Sequence, residues 1–213
     1  MSKTYESDLE EALVDLLADL GFDYLNGDRP APEADLALRT NYHDAVLKPR
    51  LRKALATINP KVPEAAREYA IAKLTDLVFT DLVQENRRIH ELMVGGVDVS
   101  YVDGGETRNN KVRLIDWRGR HNDWLAVNQL PIVGDVPRRL DVLLYLNGIP
   151  LVLIELKGPE REQADIEAAY QQVVTYRSDL PELFRFMVFS VISDGFAARY
   201  LTIHQFSPAW LTA

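Results

Sequence analysis

The chain contains no cysteine among its 213 residues. That excludes disulfide scaffolds, zinc–thiolate sites and cysteine nucleophiles. Long hydrophobic runs are also missing: none approaches the roughly 20 residues a helix needs to span a bilayer. The opening segment MSKTYESDLEEALVDLL is acidic and lacks the basic start and apolar stretch of a secretory signal. The expectation is a cytoplasmic protein with no membrane partner. Basic residues are in deficit, 24 Lys and Arg against 32 Asp and Glu, for a net charge of −8. Dedicated nucleic-acid binders usually carry a basic excess. The deficit still leaves room for a locally acidic site that collects a divalent cation. No G-x-x-x-x-G-K-[ST] phosphate loop and no G-x-S-x-G elbow occur. His43, His90, His121 and His204 are scattered, without metal-ligand spacing.

What is present is a soluble globular balance, with 47% apolar and 26% charged residues. Leu9, Leu13, Leu16, Leu17 and Leu20 recur at helical spacing and predict a helix over 7–20, ended by Gly21. Residues 26–38, with Gly27, Pro30 and Pro32, read as a loop. Helical stretches follow near 42–58, 63–78 and 80–93. From about 97 the pattern changes to strands: VDVSYV, KVRLIDW, DWLAVNQLPIV, LDVLLYL and PLVLIEL. Residues 162–178 return to a helix, and FRFMVFSVI and AARYLTI read as two last strands. The expected fold class is α/β, a mixed central sheet flanked by helices, with a helical elaboration in the N-terminal half. The expected organisation is one domain over 1–213, with a helical insertion about 42–93 and a core about 7–25 and 97–203.

The stretch PLVLIELKGP carries the most chemistry. Glu155 and Lys157 stand at the end of an apolar strand and share a face, because side chains alternate along a strand. Charges on a buried strand are costly unless paired or metal-bound. Asp141 lies on the preceding strand, across a hairpin at Asn147-Gly148. A plain two-residue loop would pair Asp141 with residue 154 and put it on the wrong face. A three-residue loop, or a bulge that uses the glycine, would restore the parity. The odd loop or bulge is the expectation. Two such carboxylates form an oxygen-rich site suited to Mg²⁺, with Mn²⁺ as a substitute, and the Leu156 carbonyl could add a ligand. Lys157 could orient a water or stabilise charge on a phosphate. The competing reading is a salt bridge at a strand end.

Asp141 with Glu155-Leu156-Lys157 resembles the PD-(D/E)xK nuclease motif, with Leu140 where the motif usually has proline. Glu10 resembles the first-helix glutamate that assists metal binding in related resolvases and restriction nucleases; Glu11 is its rival. Gln172-x-x-x-Tyr176 resembles the Q-x-x-x-Y motif of RecB-like nucleases, one helical turn apart. The longer texts RRLDVLLYLNGIPLVLIELKGP, YQQVVTYRSDLPELF, VISDGFAARY and NDWLAVNQL are similar to the N-terminal region of the type I restriction motor subunit. The resemblance covers roughly 7–203 and implies a restriction-endonuclease-like fold. It implies a metal-dependent endodeoxyribonuclease that cuts unmodified foreign double-stranded DNA, partnered by modification and specificity subunits. It also implies downstream motor lobes that use ATP, lobes this chain lacks, so the chain reads as a nuclease-domain fragment that does not itself bind ATP. Arg118, Arg120, Arg138 and Arg139 lie at strand ends read as leading to the site and are candidate phosphate contacts. The alternatives are a stand-alone repair or Holliday-junction nuclease, and a catalytically silent docking module of the same fold.

Overall fold

The computed structural model describes residues 2–158 and 162–203. Pro159 and His204 lie outside the described residues. Helix α1 (Ser2–Asp19) leads into the short strand β1 (Asp23–Asn26), then three helices, α2 (Lys48–Ile58), α3 (Glu64–Thr75) and α4 (Leu82–Gly95). A two-stranded ribbon follows, β2 (Val97–Asp103) and β3 (Glu106–Val112). The rest is β4 (Trp124–Val133), β5 (Pro137–Leu146), β6 (Ile149–Leu156), α5 (Glu162–Asp179), α6 (Pro181–Phe184), β7 (Phe189–Ser193) and β8 (Ala198–Leu201). The main sheet has the order β1-β4-β5-β6-β7-β8. It is mixed: β1 runs parallel to β4 and β6 parallel to β7, while the other neighbours are antiparallel. The architecture is the α/β sheet flanked by helices that the sequence predicts.

Each sheet face is covered by different helices. Leu9, Leu13 and Leu17, spaced at i, i+4 and i+8, lay one stripe of α1 on Ala126, Val142 and Ile154. The larger core fills the other face. There Leu51 and Leu55 of α2, Ala70 and Leu74 of α3, Ile89 of α4 and Ala169 and Val173 of α5 join Leu125, Leu143 and Leu153. Burial on this scale, at about 25 cal/mol per Å² of apolar surface, is what holds the helices to the sheet. No helix among the described residues is long and apolar enough to cross a membrane.

Four local readings change. Residues 113–117 are not strand: β3 stops at Val112, and the Asp116 side chain accepts from the Arg118 backbone, turning the chain. Residues 184–188 are not strand either, because Pro181 starts the short α6 instead. Helix α2 starts at Lys48, with Pro49 in its first turn, rather than at 42. Strand β1, which the sequence reading placed partly in a loop, forms an edge beside β4.

Candidate active site

The hairpin between β5 and β6 sets the site. Asn147 (φ 54°) and Gly148 (φ 78°) both lie in the left-handed region, so the turn is the two-residue kind that suits a twisted hairpin. Leu146 pairs with Ile149 and Tyr145 with Pro150, but Leu144 pairs with Val152. Leu151 is the extra residue. The parity shift therefore comes from a bulge within β6, three residues beyond the glycine expected to supply it. From there Val142 pairs with Ile154, which sets Asp141 opposite Glu155.

Glu155 is fully buried, and its Oε2 has no hydrogen-bond partner. Its Oε1 accepts from Lys157 Nζ at 2.9 Å. Asp141 Oδ2 accepts from the Leu156 backbone N–H at 2.9 Å. Burial, followed by the neighbouring charge of Asp141, pushes the Glu155 carboxyl up to about 8, against the pull of Lys157. Burial likewise raises Asp141, offset in part by the Leu156 N–H and the Lys157 charge. Burial alone would lower the Lys157 ammonium, but the Glu155 carboxylate outweighs it and keeps Lys157 cationic. Two acids whose charge is disfavoured, one with an orphaned oxygen, make a pair that a divalent cation would satisfy. The residues thus fit a hard metal: Asp141, Glu155 and the Leu156 carbonyl are oxygen donors of the right class.

A second layer of polar groups comes from β4 and α1. Glu10, not the exposed Glu11, faces inward. Its two carboxylate oxygens accept from Asn128 Nδ2 at 2.5 Å and Gln129 Nε2 at 2.6 Å. The same Gln129 nitrogen lies 3.4 Å from Asp141 Oδ1. Burial is the main force raising the Glu10 pKa, and the Asp141 charge adds to it. Gln129 holds a left-handed backbone (φ 51°) in mid-strand. That conformation is uncommon for a residue with a side chain and is a marker of imposed geometry. Gly27 makes room for it: a Cβ there would lie 2.3 Å from the Gln129 carbonyl oxygen. Sequence reasoning missed Gln129 because nothing in NDWLAVNQL signals a positive φ. It also missed Glu6, which accepts from the Gly158 N–H at 3.0 Å and whose charge is felt at Asp141 and Lys157. The signal was available, since Glu6 stands one helical turn before Glu10.

Tyr176 is buried, and its hydroxyl receives the Gln172 Nε2 bond at 2.5 Å and donates to the Arg139 carbonyl at 3.3 Å. Burial, then the Glu155 charge, lifts its pKa to about 12. The pair therefore fastens α5 to β5 within electrostatic reach of Glu155, without a hydrogen bond from either residue to Asp141 or Glu155 among the described contacts. Arg139 is half exposed, bonds the Gln129 carbonyl and lowers Glu10 through its charge. Arg138 is engaged instead with Asp179 at the end of α5. Arg118 and Arg120 are not brought to the site. Their loop is tied by Asn122 to Asn147, at the turn end of the hairpin, about 20 Å along β5 from Asp141. Of the histidines, His121 pairs with Asp116 in that loop and His90 is half-buried beside Asn86.

A family model described as "Type I restriction enzyme R protein N terminus" matches residues 3–205. The chain belongs to this family. It is 37% identical over 198 residues to the type I restriction enzyme HindI endonuclease subunit of Haemophilus influenzae, covering 91% of this chain and 19% of that one. A Methanocaldococcus jannaschii chain named for the type I restriction enzyme MjaIXP is 29% identical over 197 residues, 90% of this chain and 19% of that one. An endonuclease subunit from Staphylococcus saprophyticus is 38% identical over 82 residues, covering 38% of this chain and 8% of its own length. The chain spans about a fifth of the length of the first two relatives.

Proposed function

We propose that this chain is the nuclease portion of a type I restriction enzyme and that it hydrolyses DNA phosphodiesters with Mg²⁺, or Mn²⁺ in its place. The observation that carries the reading is the Asp141–Glu155 pair, set opposite each other across β5 and β6, with the Glu155 Oε2 buried and unpartnered. Asp141, Glu155 and the Leu156 carbonyl would hold the metal. When bound, the metal would polarise the scissile phosphate and acidify a water. Because burial beside Asp141 raises the Glu155 pKa, a metal would compete there with a proton and would be held more tightly as pH rises. Lys157, cationic and 21% exposed, is placed to orient the attacking water or to offset charge on the phosphate oxygens. Gln129 and Glu10 hold Asp141 in place from β4 and α1, while Gln172 and Tyr176 hold the β5 backbone from α5.

In the complete enzyme, this activity would be coupled to ATP-driven translocation by downstream motor domains and directed to unmodified double-stranded DNA by modification and specificity subunits. The names of the relatives and the family match support that assignment over a stand-alone repair nuclease. The test is cleavage of an unmodified plasmid by the assembled enzyme carrying Asp141→Ala, Glu155→Ala or Lys157→Ala. Each is expected to lower cleavage by roughly 100-fold or more while ATP hydrolysis continues. Wild-type cleavage by all three variants would overturn the proposal.

A further inference from the structure

The loop after β3 gathers cations that the catalytic cluster does not use. Arg113, Arg118, Arg120 and His121 line one concave surface of about 490 Å³, together with Ile58 and Asp116. The three arginines are exposed, and none has a carboxylate partner among the described contacts. On a chain of net charge −8, three unpaired arginines on one concave surface are a local reversal of sign. The loop's frame is rigid. Asn59 brackets Arg113, accepting from its N–H at 2.8 Å and donating to its carbonyl at 2.9 Å. Asn122 does the same for Asp116, at 2.9 and 2.8 Å. Asn147, fully buried in the hairpin turn, ties Asn122 and the Leu114 carbonyl to the sheet. The one acid in the pocket is already engaged: Asp116 accepts from Arg118 N–H and pairs with His121 Nδ1 at 2.9 Å. Its charge is therefore partly spent on the loop's own groups.

We propose that this loop is a second DNA contact, a phosphate-binding surface formed by Arg113, Arg118 and Arg120 at the end of the sheet remote from Asp141 and Glu155. Guanidinium groups present forked donors that match phosphate oxygens, and backbone contacts of this kind position a duplex without reading its sequence. A separation of about 20 Å along β5 corresponds to roughly six base pairs of duplex rise. The surface would hold DNA beyond the bonds that the cutting site touches. The choice of DNA as the ligand rests on the nuclease reading; the surface itself rests on the unpaired arginines.

The experiment measures binding of this chain to a labelled 30-base-pair duplex by fluorescence anisotropy, without divalent metal, across a series of salt concentrations. Each phosphate contact adds about 0.9 to the slope of log affinity against log salt. Arg113→Ala/Arg118→Ala/Arg120→Ala is expected to flatten that slope by about 2 to 3 and to weaken binding roughly tenfold or more at moderate salt. Arg87→Ala, at an exposed arginine on α4 that pairs with Glu91, is the control and is expected to leave the slope unchanged. Thermal melting serves as the folding control, because all three residues are exposed. An unchanged slope in the triple variant, or no binding by the wild type, overturns the proposal and leaves an acidic protein surface as the alternative partner. The outcomes separate the two readings. Arginine-dependent binding, with no Mg²⁺-dependent cleavage by the assembled enzyme, sinks the nuclease and keeps the surface. Cleavage with an unchanged slope does the reverse.

Discussion

Glu155 carries the largest electrostatic penalty in the proposed site, because it is fully buried beside a second acid. Its carboxyl is raised from the ordinary 4.5 to about 8. The folded, metal-free protein therefore holds a proton there that the unfolded chain releases. That contribution to stability is complete below about 4.5 and is lost as pH rises through about 8. Glu155→Gln removes the dependence. In thermal melts without metal, the variant is expected to exceed the wild type by about 1–3 kcal/mol at pH 9 and to match it near pH 4. Adding Mg²⁺ is expected to raise the melting temperature of the wild type and not that of the variant. Equal pH dependence in both proteins would contradict the assignment. Gln129 offers a second test at this scale. Gln129→Leu keeps the side-chain bulk and deletes the donor shared by Glu10 and Asp141. Metal affinity by calorimetry is expected to fall roughly tenfold, the usual effect of losing a group that orients a ligand.

At the scale of elements, the register of the candidate site depends on one bulge residue and one missing side chain. Leu151 is the insertion that turns Asp141 toward Glu155. Inserting one alanine between Leu153 and Ile154 would shift Glu155 out of register with Asp141 and onto the opposite face, so metal binding should vanish even where the hairpin still folds. Gly27 is the missing side chain. Gly27→Ala would drive a Cβ into the Gln129 carbonyl, backbone against backbone, and should destabilise the protein by about 1–3 kcal/mol while lowering metal affinity. Melting and calorimetry read both effects. The hairpin, the helices and the Asp141–Glu155–Lys157 cluster were legible in the sequence, because alternation, an Asn-Gly turn and helical spacing are short-range signals. Three features were not. β1 is four mostly exposed residues whose strand character comes only from pairing with β4. The segment 113–117 has strand-like apolar residues, but Leu114 and Ile115 are buried by the loop that Asp116 and Asn122 build. The bulge sits at Leu151 rather than Gly148 because the left-handed pair Asn147-Gly148 already satisfies the turn.

Across the whole molecule, charge is partitioned. Acidic groups from three elements, Glu6 and Glu10 on α1, Asp141 on β5 and Glu155 on β6, converge at one end of the hairpin. The unpaired arginines sit at the other end. On the proposed function, this distribution would let a chain of net charge −8 engage DNA: an acidic site would collect the cation, and a separate surface would meet the phosphates. The composition alone pointed away from nucleic acid, because a net count cannot register where the charges lie. On the proposed function, Asp141 and Glu155 hold a divalent metal. The most direct measurement is anomalous scattering from crystals soaked in Mn²⁺ above pH 8, where Glu155 has lost its proton. A manganese peak between the Asp141 and Glu155 carboxylates, absent in Glu155→Gln, is the predicted result. A density map with no ion there, or with manganese bound only elsewhere, would rule out Asp141 and Glu155 as metal ligands.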